Sequence, residues 1–525
     1  MESRALPPGW PRHFAAQIDQ YLSGQSRRAN SEARFRTILA AVLQEWADVG
    51  FLRANISAIA ERARVSTATL YRLFPSRETL NLEALAFGHV ILMQAMETRP
   101  RHPNLLRNLV HMVNHYTEIL CERHFRQFSL GQTFMVRQDA DQREEASRIA
   151  FSGHRALHGL WIDEVRRLID EGFLRDGDVD HMMFRLIGPI EARALHWYQA
   201  GRGYYQPSKS WLHEGVDVVE GFFAVYGTRK YKIFRDTYSW DWNNLAAVSA
   251  SFRDPPVRIA GGIQRWDSLP HIGQLEQALA QKAVPQDFIV FVFRELKAMS
   301  SRTNNRLDPT NRRNRILAAA IHENFERGFE NLSIAGIARR AGVSTATLYR
   351  VFGDDRSLYD EAHMLGLSFF CAWVAQDSPQ VNPIARMADY LIRPLLTYMD
   401  PRSLRLGSIQ FGLIARTEEG EVLPTSPLLI RYIYGFWDRR FARLRAENFL
   451  SEPTSWKMIM DVFGPVQSMS WGLKSNSGQT WLPSTSWYEV CWRVAEDFFQ
   501  LYGTPHFHAC LQKHGWNKEL PGFNS

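Results

Sequence analysis

The eight residues VSTATLYR occur twice in the chain, at Val65 to Arg72 and again at Val343 to Arg350. In each copy Thr and Ala are adjacent and Tyr follows Thr by four residues, so the three side chains share one helix face. Threonine can hydrogen-bond base edges or contact a thymine methyl group, and alanine permits close approach. Tyrosine and arginine can contact phosphates. These residue types and spacings indicate a short helix that reads DNA.

Each octapeptide forms part of the second of two short predicted helices. The segment before the first copy is ISAIAERA, and the segment before the second is IAGIARRA. Asn55 and Ser333 are suitable caps for these earlier helices, and Ser66 and Ser344 are suitable caps for the later ones. Helix, tight turn and helix is the bihelical pattern of many DNA-binding proteins.

The repeat extends far beyond the octapeptide. Residues 38–74 and 316–352 align without a gap and are identical at 21 of 37 positions. Near the other end, PSKSW and FFAVYGT of the first copy match PSTSW and FFQLYGT of the second. Ordered matches at both ends indicate that a whole unit of roughly 200 residues was duplicated.

The composition is that of a folded protein with more than one domain. The chain has 525 residues, of which 45% are hydrophobic and 22% charged, and its net charge is +7. No apolar run reaches the roughly 18 residues of a membrane span, so no membrane association is expected. Four cysteines without a CxxC pair favour a reducing cytoplasm. The sequence lacks the G-x-S-x-G, P-loop, G-x-G-x-x-G and H-E-x-x-H motifs, so no enzyme is predicted.

The run GF…IA..A.VST.TLYR.F, followed by PSRETL in the first copy, resembles the TetR family of bacterial regulators. The resemblance covers both copies. It implies an all-α fold in which a helix-turn-helix head is attached to a larger helical core that binds an effector and dimerises. Members are normally homodimers, so two fused units imply an intramolecular pseudo-dimer, and the last two helices of each unit are expected to form its interface.

The resemblance and the helix chemistry assign equivalent octapeptide residues as DNA contacts in both heads, Arg77 in the first head only, and one arginine in the arm ahead of each helix-turn-helix. We expect double-stranded DNA to be contacted by Ser66, Thr67, Ala68, Tyr71, Arg72, Arg77, Ser344, Thr345, Ala346, Tyr349, Arg350, Arg36 and Arg315. A solvated polar linker is the simpler interpretation of each arm arginine. From the identical octapeptides we expect similar half-sites in a near-palindromic operator.

The two heads are not equivalent. Arg77 stands where the family usually has a phosphate-binding lysine, but the second head has Asp355 there, with Asp354 beside it. Acidic side chains suit a helix N-terminus but repel phosphate. In the turn, Gly342 suits a left-handed backbone, whereas Arg64 at the same place is expected to cost about 1 kcal/mol.

The sequence predicts seven segments. They are an N-terminal extension (1–30), a first head (31–80), a first core (81–228), a connecting region (229–309), a second head (310–358), a second core (359–504) and a C-terminal tail (505–525).

Aromatic side chains are frequent in the middle of each unit, and an apolar or aromatic effector of unknown identity is expected there. The candidate ligand-binding residues are Tyr116, Phe134, Trp161, Trp197, Phe411, Tyr432, Trp437 and Trp471. Core packing is the simpler interpretation of such aromatic residues.

Histidines at helical spacing can bind a metal from one helix face. The first unit has two such pairs, His111 with His115 and His154 with His158, and the tail has His506, His508, Cys510 and His514. The second unit has no matching pairs, and histidines at this spacing are usually surface or core groups. No metal and no cofactor are therefore predicted.

The sequence best fits a cytoplasmic, sequence-specific transcriptional regulator, a repressor released by a small effector. Two alternatives remain: a DNA-binding regulator without a small ligand, and a helical interaction scaffold whose heads no longer bind DNA. Salt-dependent, sequence-selective DNA binding separates the regulators from the scaffold.

Overall fold

The computed structural model describes residues 12–23, 31–99, 105–136, 140–200, 211–237, 274–275, 277, 287–301, 309–406, 426–474 and 486–516. Within these ranges the regular elements are helices, and the only β pairing consists of two isolated antiparallel bridges, Leu174 with Gly227 and Leu450 with Gly503. The predicted all-α fold is confirmed. No helix among the described residues is long and apolar enough to cross a membrane.

The helices of the first unit follow one another with short connections. They are α1 (His13–Ser23), α2 (Ser31–Val49), α3 (Ile56–Arg62), α4 (Thr67–Leu73), α5 (Arg77–Glu97), α6 (Leu105–Cys121), α7 (Arg123–Met135), α8 (Ala140–Asp170), α9 (Val179–Ala200), α10 (Trp211–Tyr226) and α11 (Arg229–Thr237).

Within the described residues, the second unit repeats this order helix for helix, with the short α18 in the place of α7. Its helices are α12 (Phe288–Ser301), α13 (Pro309–Arg327), α14 (Ile334–Ala341), α15 (Thr345–Phe352), α16 (Asp355–Val374), α17 (Pro383–Met399), α18 (Pro401–Leu406), α19 (Ser426–Ala446), α20 (Trp456–Lys474), α21 (Trp487–Tyr502) and α22 (Pro505–His514).

The duplicated unit is longer at its C-terminal end than the sequence matches indicate, because it includes α11 and α22. Phe223 stacks on Tyr231 with ring centroids 4.2 Å apart, and Phe499 stacks on Phe507 at 4.3 Å. Each second ring belongs to the helix that follows the FFxxYGT segment. The letters of these two helices differ, so only the packing shows that they are equivalent.

A further helix precedes each head and packs on it. Phe14 and Ile18 of α1 are fully buried, and the Phe14 ring lies 5.7 Å from that of Phe128. In the second unit, Phe291 of α12 is fully buried, with its ring 5.6 Å from that of Trp373. Each preceding helix therefore belongs to a packed core.

The two units meet through α9 and α20, each of which contains an internal proline. A Cβ placed on Gly188 would lie 2.6 Å from the Pro465 backbone, and one placed on Gly464 would lie 2.9 Å from the Cα of Pro189. Real Cβ atoms do not approach backbone this closely, so the absence of side chains at both glycines permits the crossing.

Candidate nucleic-acid interface

The two copies of the octapeptide form helices with the same exposed face. The side chain of Ser66 caps α4 by accepting a 3.1 Å hydrogen bond from the Thr69 amide, and Ser344 caps α15 in the same way at 3.1 Å. The leucine of each octapeptide is buried. The exposed residues are Ser66, Thr67, Ala68, Tyr71 and Arg72 in the first head and Ser344, Thr345, Ala346, Tyr349 and Arg350 in the second. Ten of the predicted contact residues therefore lie on two equivalent open surfaces.

Tyr71 and Tyr349 are large apolar rings left in solvent, 48% and 43% exposed. An aromatic ring with a hydroxyl at its tip suits a contact that is apolar on one side and polar at the end. A tyrosine hydroxyl on this face can donate to a phosphate oxygen, a contact that positions a helix without reading base sequence.

The tight turns of the two heads adopt the same backbone with different residues. Gly342 has φ 64° and Arg64 has φ 53°, so both are left-handed. The predicted left-handed turn is confirmed in both heads. The strain falls on Arg64, since a left-handed backbone costs an L-residue with a Cβ roughly 1–2 kcal/mol.

A buried carboxylate braces the first two helices of each head, a feature the sequence analysis missed. Arg62 of α3 lies 3.2 Å from Glu45 of α2, whose side chain is only 5% exposed. The second head repeats the contact between Arg340 and Glu323 at 3.1 Å, with Glu323 3% exposed. These glutamates and arginines occupy equivalent places in the repeat. A charged residue retained twice on the buried side of an amphipathic helix was the available signal.

The heads differ where the next helix begins. Arg77, the first residue of α5, is exposed, and its guanidinium donates a 3.1 Å hydrogen bond to the Ala54 carbonyl. The matching residue in the second head, Asp355, accepts a hydrogen bond from Tyr349, and this bond is the main cause of the raised pKa of the tyrosine. The second head therefore presents a carboxylate where the first presents a guanidinium.

The two arm arginines differ in their exposure and in their contacts within the protein. Arg36 is exposed and pairs with Glu32 at 2.6 Å, a surface contact worth about 0.3–0.5 kcal/mol and easily exchanged for phosphate. Arg315 is half-buried in α13. Arg313, also in α13, lies over the Phe352 ring at 4.6 Å and is paired with Glu361, so its charge stabilises the head.

The candidate effector residues are only partly brought together. Tyr116 and Trp161 are buried, and their rings meet edge to face at 5.6 Å. Phe134 lies apart from them, with its ring 5.4 Å from Phe51 near the first head. Trp437, the counterpart of Trp161, is buried against Phe441 at 5.6 Å. Phe411 and the side chains of Trp197, Tyr432 and Trp471 lie outside the described part of the chain.

Around Tyr116 the structure adds an acidic residue that the sequence analysis did not select. The Tyr116 hydroxyl donates a 2.6 Å hydrogen bond to Glu191, and the Ser468 hydroxyl of the second unit donates to the other carboxylate oxygen at 2.5 Å. Burial raises the pKa of Glu191. The spacing of residues along α9 does not predict this role for Glu191, because its partners Tyr116 and Ser468 belong to α6 and α20.

The histidines selected from the sequence lie in three different surroundings. His154 and His158 stack with centroids 6.1 Å apart, and burial lowers their pKa values to about 4 and about 3. In α22, the Cys510 sulfur lies 3.6 Å from His506. His115 faces His13 of α1, with ring centroids 4.0 Å apart.

Two exposed, serine-capped second helices, each braced on a preceding helix, define a helix-turn-helix DNA-binding protein with two heads. The profile of the TetR family, described as bacterial regulatory proteins, matches residues 38–84 and again residues 316–362. The chain belongs to the TetR family of transcriptional regulators and carries the family's DNA-binding domain twice.

Solved structures of TetR-type regulators overlap with parts of the chain. One from Mesorhizobium loti MAFF303099, titled a putative TetR-family transcriptional regulator, is 19% identical, with 39% of this chain and 100% of that chain covered and a TM-score of 0.34. One from Agrobacterium tumefaciens is 17% identical, covers 38% and 97%, and has a TM-score of 0.29. A putative one from Shewanella sp. PV-4 is 18% identical, covers 37% and 99%, and has a TM-score of 0.27. Comparison with curated sequences gives no match.

Proposed function

We propose that this protein is a single-chain pseudo-dimer that binds a near-palindromic operator with two heads and is released from it by a small effector, acting as a repressor. The proposal rests on the identical exposed faces of α4 and α15, held by two units that meet through α9 and α20. Two equivalent DNA-binding helices related by an approximate two-fold axis require two similar half-sites, with centres about 34–36 Å apart. The bacterial cytoplasm is the compartment where such an operator is available.

Contacts between equivalent residues support the two-fold relation. Gly188 and Gly464 occupy the same position in the two copies, and each faces the backbone of the other at the crossing. In a symmetric dimer, only residues on the axis meet their own counterparts. The crossing of α9 and α20 therefore marks the approximate axis that relates the two units.

The charges at the crossing of α9 and α20 favour contact between a first unit and a second unit over contact between two copies of either unit. Arg185 and Asp461 are also counterparts, their side chains are 3% and 5% exposed, and they lie 3.7 Å apart. Two copies of the first unit would bring two arginines together here, and two copies of the second would bring two aspartates together. Like charges buried together cost several kcal/mol, so the duplicated units are matched to each other.

For the effector we propose one site, in the first unit, beside Tyr116 and Trp161. The Trp161 indole nitrogen is buried, and within the described residues it has no hydrogen-bond partner. It could therefore donate to a bound ligand, while the two rings offer apolar surface. Because Glu191 joins Tyr116 to Ser468 of the other unit, a ligand that displaced either hydroxyl would act on the contact between the units.

The proposal is tested by in vitro selection of DNA sites with the purified full-length protein. The expected result is an enriched near-palindrome whose two halves are similar, with binding that weakens steeply as salt rises. A single half-site, or two unrelated halves, would contradict the pseudo-dimer. No enrichment, with or without candidate effectors, would favour the scaffold.

A further inference from the structure

Three side chains that can bind a metal converge where the N-terminal helix meets the first core. His13, His115 and Glu118 each offer one ligand atom, and these atoms all lie within 4.8 Å of one another. His13 Nε2 is 2.7 Å from a carboxylate oxygen of Glu118. His115 is 4% exposed, whereas the side chains of His13 and Glu118 are about one quarter exposed. A cation could therefore enter from the solvent side.

The orientation of His115 suits ligation. Its Nε2 lies 2.7 Å from the Ala95 carbonyl oxygen, so this nitrogen carries the proton and donates. The lone pair of the neutral ring is then on Nδ1, so Nδ1 would be the ligand atom. Histidines that bind metals usually donate their other N–H to a carbonyl or carboxylate in this way, which fixes tautomer and ring angle.

The separations are close to those of a tetrahedral site. Zinc bonds of about 2.0–2.2 Å place neighbouring ligand atoms roughly 3.3–3.5 Å apart. The 2.7 Å contact between His13 and Glu118 would open by about half an ångström, while the widest pair, within 4.8 Å, would close by less than about 1.5 Å. Rotations of partly exposed side chains supply both movements.

A second carboxylate offsets the positive charge that the N-terminus of α1 places near a bound cation. Glu122 is buried and accepts hydrogen bonds from the amides of His13, Phe14 and Ala15, the last two at 2.9 Å. It therefore satisfies the first turn of α1 and offsets the positive end of the helix dipole.

The second unit fastens its preceding helix differently. Asp287 caps α12 by accepting from the amides of Ile289 and Val290, and Arg402 pairs with Asp287 at 2.7 Å and with Asp400 at 2.7 Å. In the second unit the guanidinium of Arg402 supplies the positive charge at this junction. In the first unit the junction has two histidines and one carboxylate, which can bind a metal cation. Among the described residues, this three-ligand cluster occurs in the first unit only.

We propose that His13, His115 and Glu118 form a binding site for a divalent transition metal of the zinc type, with a fourth position open to water. The metal would fasten α1 to α6. Since α1 also packs on the first helix of the head, where Thr37 donates a 3.3 Å hydrogen bond to the Tyr21 carbonyl, occupancy would stiffen the junction between the first head and its core.

The test is a Zn²⁺ titration of the chelator-treated full-length protein, followed by calorimetry and by metal counting after gel filtration. One tightly bound equivalent is expected, and His115→Ala and Glu118→Ala should each weaken it at least about tenfold. His111→Ala, one turn earlier on α6, is the matched control. His506→Ala combined with Cys510→Ser controls for α22, and both controls should bind Zn²⁺ like the unmodified chain.

Hydrogen exchange gives a second measurement. It would not respond to Zn²⁺ if His115 had only a structural role. Zn²⁺ should slow exchange of the amides of residues 13–23 in the unmodified protein and leave it unchanged in the His115→Ala variant. If that variant does not fold, His13→Ala at the start of α1 serves in its place. Absence of bound Zn²⁺, or binding that survives loss of His115 or Glu118 and disappears in the α22 variant, would overturn the proposal.

Discussion

At the scale of single residues, the DNA-facing surface depends on small differences within two nearly identical sets of side chains. Each octapeptide keeps one leucine buried and leaves Ser, Thr, Ala, Tyr and Arg in solvent. Phosphate contacts set affinity, and contacts to base edges set preference. Substitutions on this surface should therefore separate into two classes.

Removal of a tyrosine hydroxyl should weaken DNA binding without changing site preference. We expect Tyr71→Phe to lower affinity about 2- to 10-fold on all DNA sequences, the value of one neutral hydrogen bond. Tyr349→Phe should lower it less, because the Tyr349 hydroxyl donates to Asp355. Fluorescence anisotropy on several duplexes measures this. Tyr434→Phe is the matched control, because that hydroxyl donates to the Thr454 carbonyl at 2.9 Å within the second unit. A change in the ranking of duplexes would assign base readout to the tyrosines.

Replacement of the acidic residue in the second head should strengthen DNA binding. Asp355→Ala removes a carboxylate that Tyr349 currently contacts, and Arg77→Ala removes the corresponding charge from the first head. We expect the first variant to bind more tightly, and the second to bind more weakly and to lose about one unit of salt slope. Titrations over a range of salt concentrations check both. Equal effects of the two variants would mean that neither residue lies near phosphate.

At the scale of the elements, turns and caps were predictable from the sequence because they depend on neighbouring residues. Asn55 and Ser333 cap their helices as predicted, accepting from the amides of Ser57 and Gly336. The docking of α1 was not predictable. Glu122, which accepts hydrogen bonds from the first amides of α1, lies more than one hundred residues away in the chain. A contact between residues so far apart in the chain produces no periodic pattern in the sequence around either residue.

Two glycine-to-alanine substitutions in the second unit should have opposite effects on stability. Gly342 is left-handed, so Gly342→Ala should lower the free energy of unfolding by about 1 kcal/mol. Gly366 lies within α16 and a Cβ there would meet nothing within 4 Å, so Gly366→Ala should raise it by about 0.5–1 kcal/mol. Urea unfolding of each variant gives the comparison. The same sign for both would contradict the turn geometry.

At the scale of the whole molecule, Arg185 and Asp461 should couple the two units. Asp461→Arg and Arg185→Asp each place like charges at the crossing and should destabilise by about 3–5 kcal/mol. The exchanged variant, with both changes, should recover part of that loss, as a double-mutant cycle on denaturant unfolding would reveal. Simple addition of the two losses would show that the residues do not face each other.

The same carboxylate predicts a dependence on pH. Burial alone would raise the pKa of Asp461, but Lys457, Arg185 and Arg193 together hold it well below its usual value. A lowered pKa in the folded state contributes stability at pH values above the unfolded pKa of about 4, and this contribution is lost as pH falls further. The stability difference between the unmodified chain and Asp461→Asn should therefore shrink below about pH 4. A constant difference would contradict this.

The central claim is that one chain supplies both heads, and the molar mass of its complex with DNA tests that claim most directly. Size-exclusion chromatography with light scattering, on a duplex carrying both selected half-sites, should give one 60.6 kDa chain per duplex. A duplex with one half-site should also bind one chain, but more weakly. Two chains on the two-site duplex, each using a single head, would contradict the account.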